Sequence, residues 1–169
     1  AKVFNNAKGV QINHIYGPHP AGNVGVQIHH IDPINKGDVV WYLAPQDIVS
    51  IARFFRDAKY DRSRIVVLTG SMVKKPRYYR VIQGMSIINI IKDNLIEGDK
   101  RFISGNVLTG TRIQKDGYIG FYDFQLSIIP EGNYSEFFGW LLPGFGKYSL
   151  SRTFFSWLSS NKEYELDSN

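Results

Sequence analysis

The run from Arg64 to Lys92 constrains the fold more than any other part of the chain. Residues 65–69 have the β-branched, apolar composition of a buried strand, and residues 78–82 suit its hairpin partner. Ser86 then stands where a helix N-cap is expected. That helix would bury four apolar side chains, Ile87, Ile88, Ile91 and Leu95. The run therefore predicts a β-β-α unit.

Other segments carry the composition or periodicity of regular elements. A helix is predicted from Pro45 to Arg56, because proline suits a first helical turn and apolar residues then recur at helical spacing. Residues 118–129 alternate between apolar and polar, which predicts two strands that break near Asp123. Residues 153–158 suggest a terminal helix or turn. Shorter strands are predicted at residues 10–15, 24–31, 39–43, 102–104, 107–109 and 140–142.

Together these elements predict an α+β fold with two subdomains and a boundary near Asp61. The chain has 43% hydrophobic and 21% charged residues, a composition that excludes a disordered segment. No apolar run approaches the roughly 20 residues that span a bilayer. The absence of cysteine excludes disulfides, thiolate-bound zinc and iron–sulfur clusters within this sequence. The polar residues 161–169 are expected to fray.

Three further motifs occur in a fixed order around the β-β-α unit. They are Gly17-Pro-His-Pro-Ala-Gly-Asn-Val-Gly25, Ile103-Ser-Gly-Asn-Val-Leu-Thr-Gly110 and Glu136-Phe-Phe-Gly-Trp-Leu-Leu-Pro-Gly144. From about Gly17 to Thr153, the ordered series resembles the A-subunit family of the sodium-translocating NADH:quinone oxidoreductase, the bacterial respiratory sodium pump. Each motif alone is a weak signal, whereas the series is specific.

The resemblance implies a fold for each part of the chain. Residues 1–61 would be the C-terminal part of a Rossmann-like α/β domain. Residues 62–115 would form a β-grasp module of the soluble-ligand-binding (SLBB-like) type, and residues 116–169 a β-rich extension. The family has further portions before the Gly17 motif and after Thr153, so we expect this chain to be a piece of a longer protein.

The resemblance also implies a function. The family member is a peripheral subunit on the cytoplasmic side of the bacterial inner membrane. Its complex passes electrons from NADH through flavins to quinone while exporting sodium, and the flavins and the iron centre belong to other subunits. We therefore expect this segment to bind no cofactor, to dock on other subunits, and to reach the membrane only through the complex. No nucleophile with a neighbouring base is evident, so the isolated segment is not expected to be catalytic.

Four residues are candidates for contact with quinone, with which this family is associated. His19 lies between two prolines, so a rigid loop would present its imidazole to a quinone carbonyl. Phe137, Phe138 and Trp140 lie in the most hydrophobic late segment, and quinone headgroups stack on aromatic rings. The alternative, which the sequence favours, is packing against the rest of the protein.

Four cations in the predicted hairpin are candidates for a docking surface. Lys74, Lys75, Arg77 and Arg80 alternate with aromatic residues, in a chain with a net charge of +5. The pattern suits contact with a protein or a lipid headgroup. It also suits single-stranded nucleic acid, although the resemblance argues against nucleic acid as a partner. A solvated hairpin is the plainest alternative.

Metal and nucleotide sites are not predicted. His29 and His30 are neighbours on a predicted strand and would point to opposite faces, so that His30 and Asp32 supply two ligands at most. A phosphate-binding glycine loop requires a helix directly after it, whereas a strand is predicted after Gly22-Asn-Val-Gly25.

A different class of function stays open on the sequence alone. The β-grasp unit could be a stand-alone binding module for carbohydrate or single-stranded nucleic acid. The motifs that begin at Gly17 and Glu136 would be surplus in such a module, whereas both match the pump family.

Overall fold

The computed structural model describes residues 8–133, 137–149 and 151–158. The chain divides into two compact units, Ala1–Val49 and Ser50–Asn169. The expected fraying of residues 161–169 lies outside the described residues. The predicted segment boundaries at residues 61 and 115 stay predictions.

The first unit holds helix α1 (Val24–Ile31) and the start of helix α2 (Pro45–Asp57). α2 confirms the predicted helix at nearly the predicted bounds. The carboxylate of Asp47 accepts the backbone N–H of Ala44 at 3.3 Å. A carboxylate in the first turn also complements the positive end of the helix dipole. The start of α2 is therefore stabilised by a residue within its own first turn.

Helix α1 corrects the strand predicted for the same residues. Its β-branched residues suggested a strand, yet its apolar residues also recur at the i, i+4, i+7 spacing of a helix face, namely Val24, Ile28 and Ile31. Residues 10–15 and 39–43 were the other predicted strands of this unit, and both lack regular structure. In the described part of the unit, no strand lies beside them to complete a ladder.

The second unit is built on a five-stranded mixed sheet, which confirms the predicted α+β class. Its strands are β1 (Ser63–Thr69), β2 (Arg77–Ile82), β3 (Lys100–Ser104), β4 (Thr111–Ile113) and β5 (Gln125–Pro130). Their order across the sheet is β2-β1-β5-β3-β4. β5 pairs with β1 in parallel and with β3 antiparallel, and therefore lies at the centre. β2 and β4 are the two edges.

The hairpin of β1 and β2 confirms the first half of the predicted β-β-α unit. Helix α3 (Ile88–Ile91) follows, but it is a single turn that ends well before Leu95. It stops because Asp93 has a left-handed backbone (φ 60°) and the chain then turns back to bridge the segment after β1. Ser86 Oγ accepts the N–H of Ile88 at 3.4 Å, although Ser86 precedes the cap position.

Two predictions near β3 and β5 are corrected by local turns. Residues 107–109 form a turn, because the side-chain carbonyl of Asn106 accepts the N–H groups of Leu108 and Thr109 at 2.8 and 2.9 Å. Of the two strands predicted within residues 118–129, only β5 forms. The earlier half makes a single bridge, between Tyr118 and Ser86.

The late segment is helical where a strand was predicted. Residues 139–141 form a short 3-10 helix, Gly139–Leu141, which replaces the strand predicted at residues 140–142. Phe138 enters it in a left-handed conformation (φ 51°), which interrupts an extended chain. A second 3-10 helix, Phe155–Leu158, confirms the predicted terminal helix or turn.

The core lies on one face of the sheet, beneath α3. The buried apolar side chains of this core are Val66, Leu68, Met72, Val73, Val81, Ile87, Ile90, Ile91, Phe102, Leu126 and Ile128. Ile103 and Ile129 are also buried. The chain leaves β1 at Gly70, whose φ is 116°. A Cβ at Gly70 would lie 2.1 Å from the carbonyl oxygen of Ile128, and that oxygen also accepts the N–H of Met72 at 3.1 Å. Only glycine allows this close approach.

Candidate functional site

The four predicted docking cations lie on one hairpin. Lys74 and Lys75 are in the loop after β1, while Arg77 and Arg80 are on β2, and all four side chains are exposed. Within the described residues, none of the four lies within ion-pair distance of a carboxylate. The hairpin therefore presents uncompensated positive charge.

Asn94 holds the lysine loop in place. This residue is only 4% exposed, and its side-chain amide donates to the carbonyl of Lys75 and accepts the N–H of Lys75, both at 2.9 Å. Its backbone carbonyl accepts the N–H of Lys74 at 2.9 Å. Sequence reasoning missed this residue. The sequence clue to its role is the Asp-Asn pair that follows Lys92, because asparagine favours turns.

The outer face of the hairpin places apolar side chains between the cations. Ile65 stands opposite Arg80 and Val67 opposite Tyr78 in the β1–β2 ladder. Ile65 and Tyr78 are exposed, and so is Ile82 at the end of β2. The face is therefore a mixed apolar and cationic surface.

The three aromatic candidates form an exposed cluster in the second unit. The rings of Phe137 and Phe138 meet edge to face with centroids 4.4 Å apart, and Phe138 and Trp140 are 6.1 Å apart. Phe137, Phe138 and Trp140 are 88%, 52% and 70% exposed. Edge-to-face contacts stabilise such a cluster but leave ring faces open to a further aromatic group. His19, the fourth candidate, is exposed in a loop of the first unit.

The histidine pair lies on α1 rather than on a strand. The ring centroids of His29 and His30 are 5.4 Å apart, so the two rings do not point to opposite faces as predicted. Among residues 8–133, 137–149 and 151–158, no three histidine or acidic side chains come close enough to hold a metal ion.

The glycine run Gly22-Asn-Val-Gly25 leads into α1. The predicted strand after this run is wrong, so the sequence argument against a phosphate loop does not hold. The other requirement of such a loop is a strand before it. Residues 8–17 have no regular structure beyond a turn at their start.

A buried polar network lies where β3 meets the segment before β5. Ser104 Oγ donates to the carboxylate of Asp123 at 2.6 Å and accepts the N–H of Gly120 at 2.8 Å. A small cavity of about 20 Å³ borders Asp123, Arg64 and Gln83, and such a volume suits a single water molecule. The side-chain nitrogen of Gln83 is buried there with no protein acceptor.

An ion-pair network links the end of β5 to β3 and β4. Glu131 follows β5, and its carboxylate contacts Arg101 at 3.2 Å and Arg112 at 3.1 Å. The side chains of Arg101 and Glu131 are 12% and 9% exposed, whereas that of Arg112 is 68% exposed. Sequence reasoning missed this network, because its residues are far apart in the chain.

The start of β1 is anchored by Asp61. Its carboxylate accepts the N–H of Ser63 at 2.9 Å and pairs with Arg53 of α2 at 2.6 Å. The hydrogen bonds from Ser63, and to a smaller extent the Arg53 guanidinium, lower the pKa of Asp61 below its ordinary value. Beside this anchor is an apolar groove formed by Ser50, Ile51, Phe54, Phe55 and Tyr60.

Comparison with known proteins accounts for most of the chain. Residues 1–60 match a family described as the NqrA second alpha/beta domain, and residues 65–115 match an SLBB family described as the NQRA C-terminal domain. In the part that the structure describes, no helix is both long and apolar enough to cross a membrane.

Several curated relatives share one description, the A subunit of a Na(+)-translocating NADH-quinone reductase. The protein from Pasteurella multocida is 40% identical over 85% of this chain and 32% of its own length. The protein from Neisseria meningitidis serogroup A is 38% identical over 95% of this chain and 36% of its own length. The protein from Haemophilus influenzae strain PittEE is 41% identical over 86% of this chain and 33% of its own length.

This chain therefore spans about a third of the length of the curated relatives it matches. The two family matches follow one another in the order that the motifs predicted. The recurring motifs, the mixed sheet and the relatives agree: the chain belongs to the family of Na⁺-translocating NADH-quinone reductase A subunits and corresponds to part of one such protein.

Proposed function

We propose that this segment is a docking scaffold of a Na⁺-translocating NADH-quinone reductase, and that its aromatic cluster contributes to a quinone-contacting surface. In that role the assembled complex transfers electrons from NADH to a ubiquinone-type quinone and exports sodium. Flavins and NADH are bound by other subunits, and the segment lies on the cytoplasmic side of the membrane as a peripheral part of the complex.

The observation that carries the quinone proposal is the exposure of Phe137, Phe138 and Trp140. Three large rings, joined through Phe138 and all more than half exposed, are costly to leave in water. A flat quinone ring would stack on such a cluster, and the neighbouring Leu141 and Leu142 would receive its apolar tail. Both leucines are also exposed. His19 supports the same proposal only as a hydrogen-bond donor on an exposed loop.

The docking proposal rests on the basic hairpin and on the family membership. A stand-alone carbohydrate or nucleic-acid module is disfavoured, because the curated relatives match this chain far beyond the β-grasp unit.

A backbone-amide NMR titration with a short-chain ubiquinone tests the quinone proposal. Saturable shifts at residues 137–142, absent with an equally hydrophobic compound that lacks the quinone ring, are expected. Trp140→Ala should weaken the binding at least about threefold, whereas Trp41→Ala, which removes an exposed tryptophan of the first unit, should not. Identical shifts with both compounds would reduce the segment to a docking scaffold.

A further inference from the structure

The basic character of the chain is concentrated in one segment. From Arg62 to Lys92 there are seven lysines and arginines and no acidic residue. The whole chain has twenty cations and fifteen acidic residues, so the remainder has thirteen cations and fifteen acidic residues and is net negative. The positive charge is therefore a property of the β1–β2 hairpin and its flanks, and not of the surface in general.

One strand of this segment, β2, is also an edge of the sheet in the part of the chain that the structure describes. β2 pairs with β1 on one side, and among the described residues no strand pairs with it on the other. Its six residues extend over about 20 Å. Every second N–H and C=O along such an edge points away from the sheet and needs a partner, either water or another strand.

The side chains along the edge define what kind of strand would fit beside it. Tyr78, Arg80 and Ile82 share the outer face in the order aromatic, cation, aliphatic, and all three are exposed. In an added strand, the side chains opposite them would stand about 5 Å away. The complementary order is apolar, acidic, apolar.

We propose that the edge of β2 accepts, as a sixth strand of the sheet, an extended acidic segment of a partner protein of the complex. The inference rests on the docking role proposed above and specifies the kind of segment that would dock. Backbone hydrogen bonds along β2 supply affinity, as in other cases of strand addition. Arg80 and the lysine loop that Asn94 fixes select a negatively charged segment. Anionic lipid or nucleic acid would use the cations but would leave the strand edge unpaired.

The test uses a defined probe, a seven-residue peptide with blocked ends whose residues 2, 4 and 6 share one strand face and are valine, glutamate and valine, while the other residues are threonine. NMR hydrogen exchange measures the amides of residues 77–82 with and without the peptide. The outward-facing amides of β2 are expected to exchange at least about tenfold more slowly at saturation, whereas those bonded to β1 stay unchanged. Arg80→Glu should weaken binding at least about tenfold, and Lys115→Glu, an exposed lysine in a turn outside the hairpin, should not.

Three control ligands make the result decisive. A peptide N-methylated at alternate residues keeps the charge but cannot pair, and it should not protect β2. Vesicles of phosphatidylcholine with phosphatidylserine, and an oligo-deoxythymidine, should also give no protection. Equal binding of the N-methylated peptide, or vesicle or oligonucleotide binding in place of the peptide, would overturn the proposal. The quinone titration is measured at residues 137–142, so its failure is distinguishable from failure of strand addition.

Discussion

The two edges of the sheet in the second unit differ in how they are protected. β4 is three residues long, and its Arg112 is tied to the largely buried Glu131. Short, charged edges of this kind resist pairing with other chains. β2 is twice as long, and Arg80 at its middle has no carboxylate partner among the described residues. One edge is thus closed by the chain's own contacts, whereas the other is unpaired among the described residues.

The largest effect is expected where the hairpin joins the centre of the sheet. Gly70→Ala would place a Cβ against the Ile128 carbonyl and impose a positive φ on alanine, so we expect a loss of about 4 kcal/mol or more in unfolding free energy. Gly84→Ala is the matched control. It has φ 81° and no atom within 4 Å of the added Cβ, so it should cost only about 1 kcal/mol. Urea denaturation measures both, and equal costs would contradict a rigid base for the open edge.

Neutralising the carboxylate that holds Arg112 of the β4 edge, and a cation of the β2 edge, compares the two edges. Glu131→Gln should cost about 2–3 kcal/mol, because Arg101 is then left buried without its counter-charge. Arg80→Gln, on the exposed edge strand β2, should change stability by less than about 0.5 kcal/mol. Thermal and urea unfolding provide the measurement. A similar loss of stability in both variants would show that the two edges depend equally on contacts within the chain.

Two asparagines each organise one loop. Asn94 holds the loop between β1 and β2, and Asn106 holds the turn between β3 and β4. Asn94→Ala removes both side-chain hydrogen bonds of this nearly buried residue to Lys75 and should cost about 2 kcal/mol. Asn106→Ala loses an exposed turn and should cost about 1 kcal/mol or less. Amide exchange in the loop of residues 74–76 should accelerate only in the first variant. If that loop is unchanged, Asn94 does not position the lysines.

The smallest effect concerns the anchor at the start of β1. The folded pKa of Asp61 lies below its ordinary value of 3.8, so its contribution to stability is present above that value. The contribution is lost as the pH falls through the lower, folded pKa. The difference in stability between the wild type and Asp61→Asn should thus be constant near neutral pH and disappear in acid. A carboxyl titration by NMR that gives an ordinary pKa would refute the anchor.

Local patterns in the sequence predicted most of the sheet. The alternation and β-branched residues of β1, β2 and β3 are properties of short segments, as is the apolar spacing of α2. The family motifs, read in order, predicted the identity that the relatives confirm. α1 was missed because its β-branched composition and its helical spacing point to different structures.

Contacts between distant residues could not be predicted in the same way. The position of β5 at the centre of the sheet depends on pairing with β1, which is more than 50 residues earlier in the chain. Glu131 meets Arg101 across 30 positions, and Asn94 meets Lys75 across 19. No local periodicity records such partners. The docking and quinone candidates were chosen for their side-chain chemistry, as cations, aromatic rings and a loop histidine. Their roles stay proposals.

Cross-linking in the assembled reductase compares the two sheet edges in place. A photoreactive benzoyl-phenylalanine replaces Tyr78 on β2 in one variant and Thr111 on β4 in another, and the purified complexes are irradiated and digested. Position 78 is expected to cross-link to an extended acidic segment of another protein of the complex, whereas position 111 is not. Equal cross-linking from both positions, or cross-linking of position 78 to lipid alone, would contradict the claim that the β2 edge accepts a partner strand and the β4 edge does not.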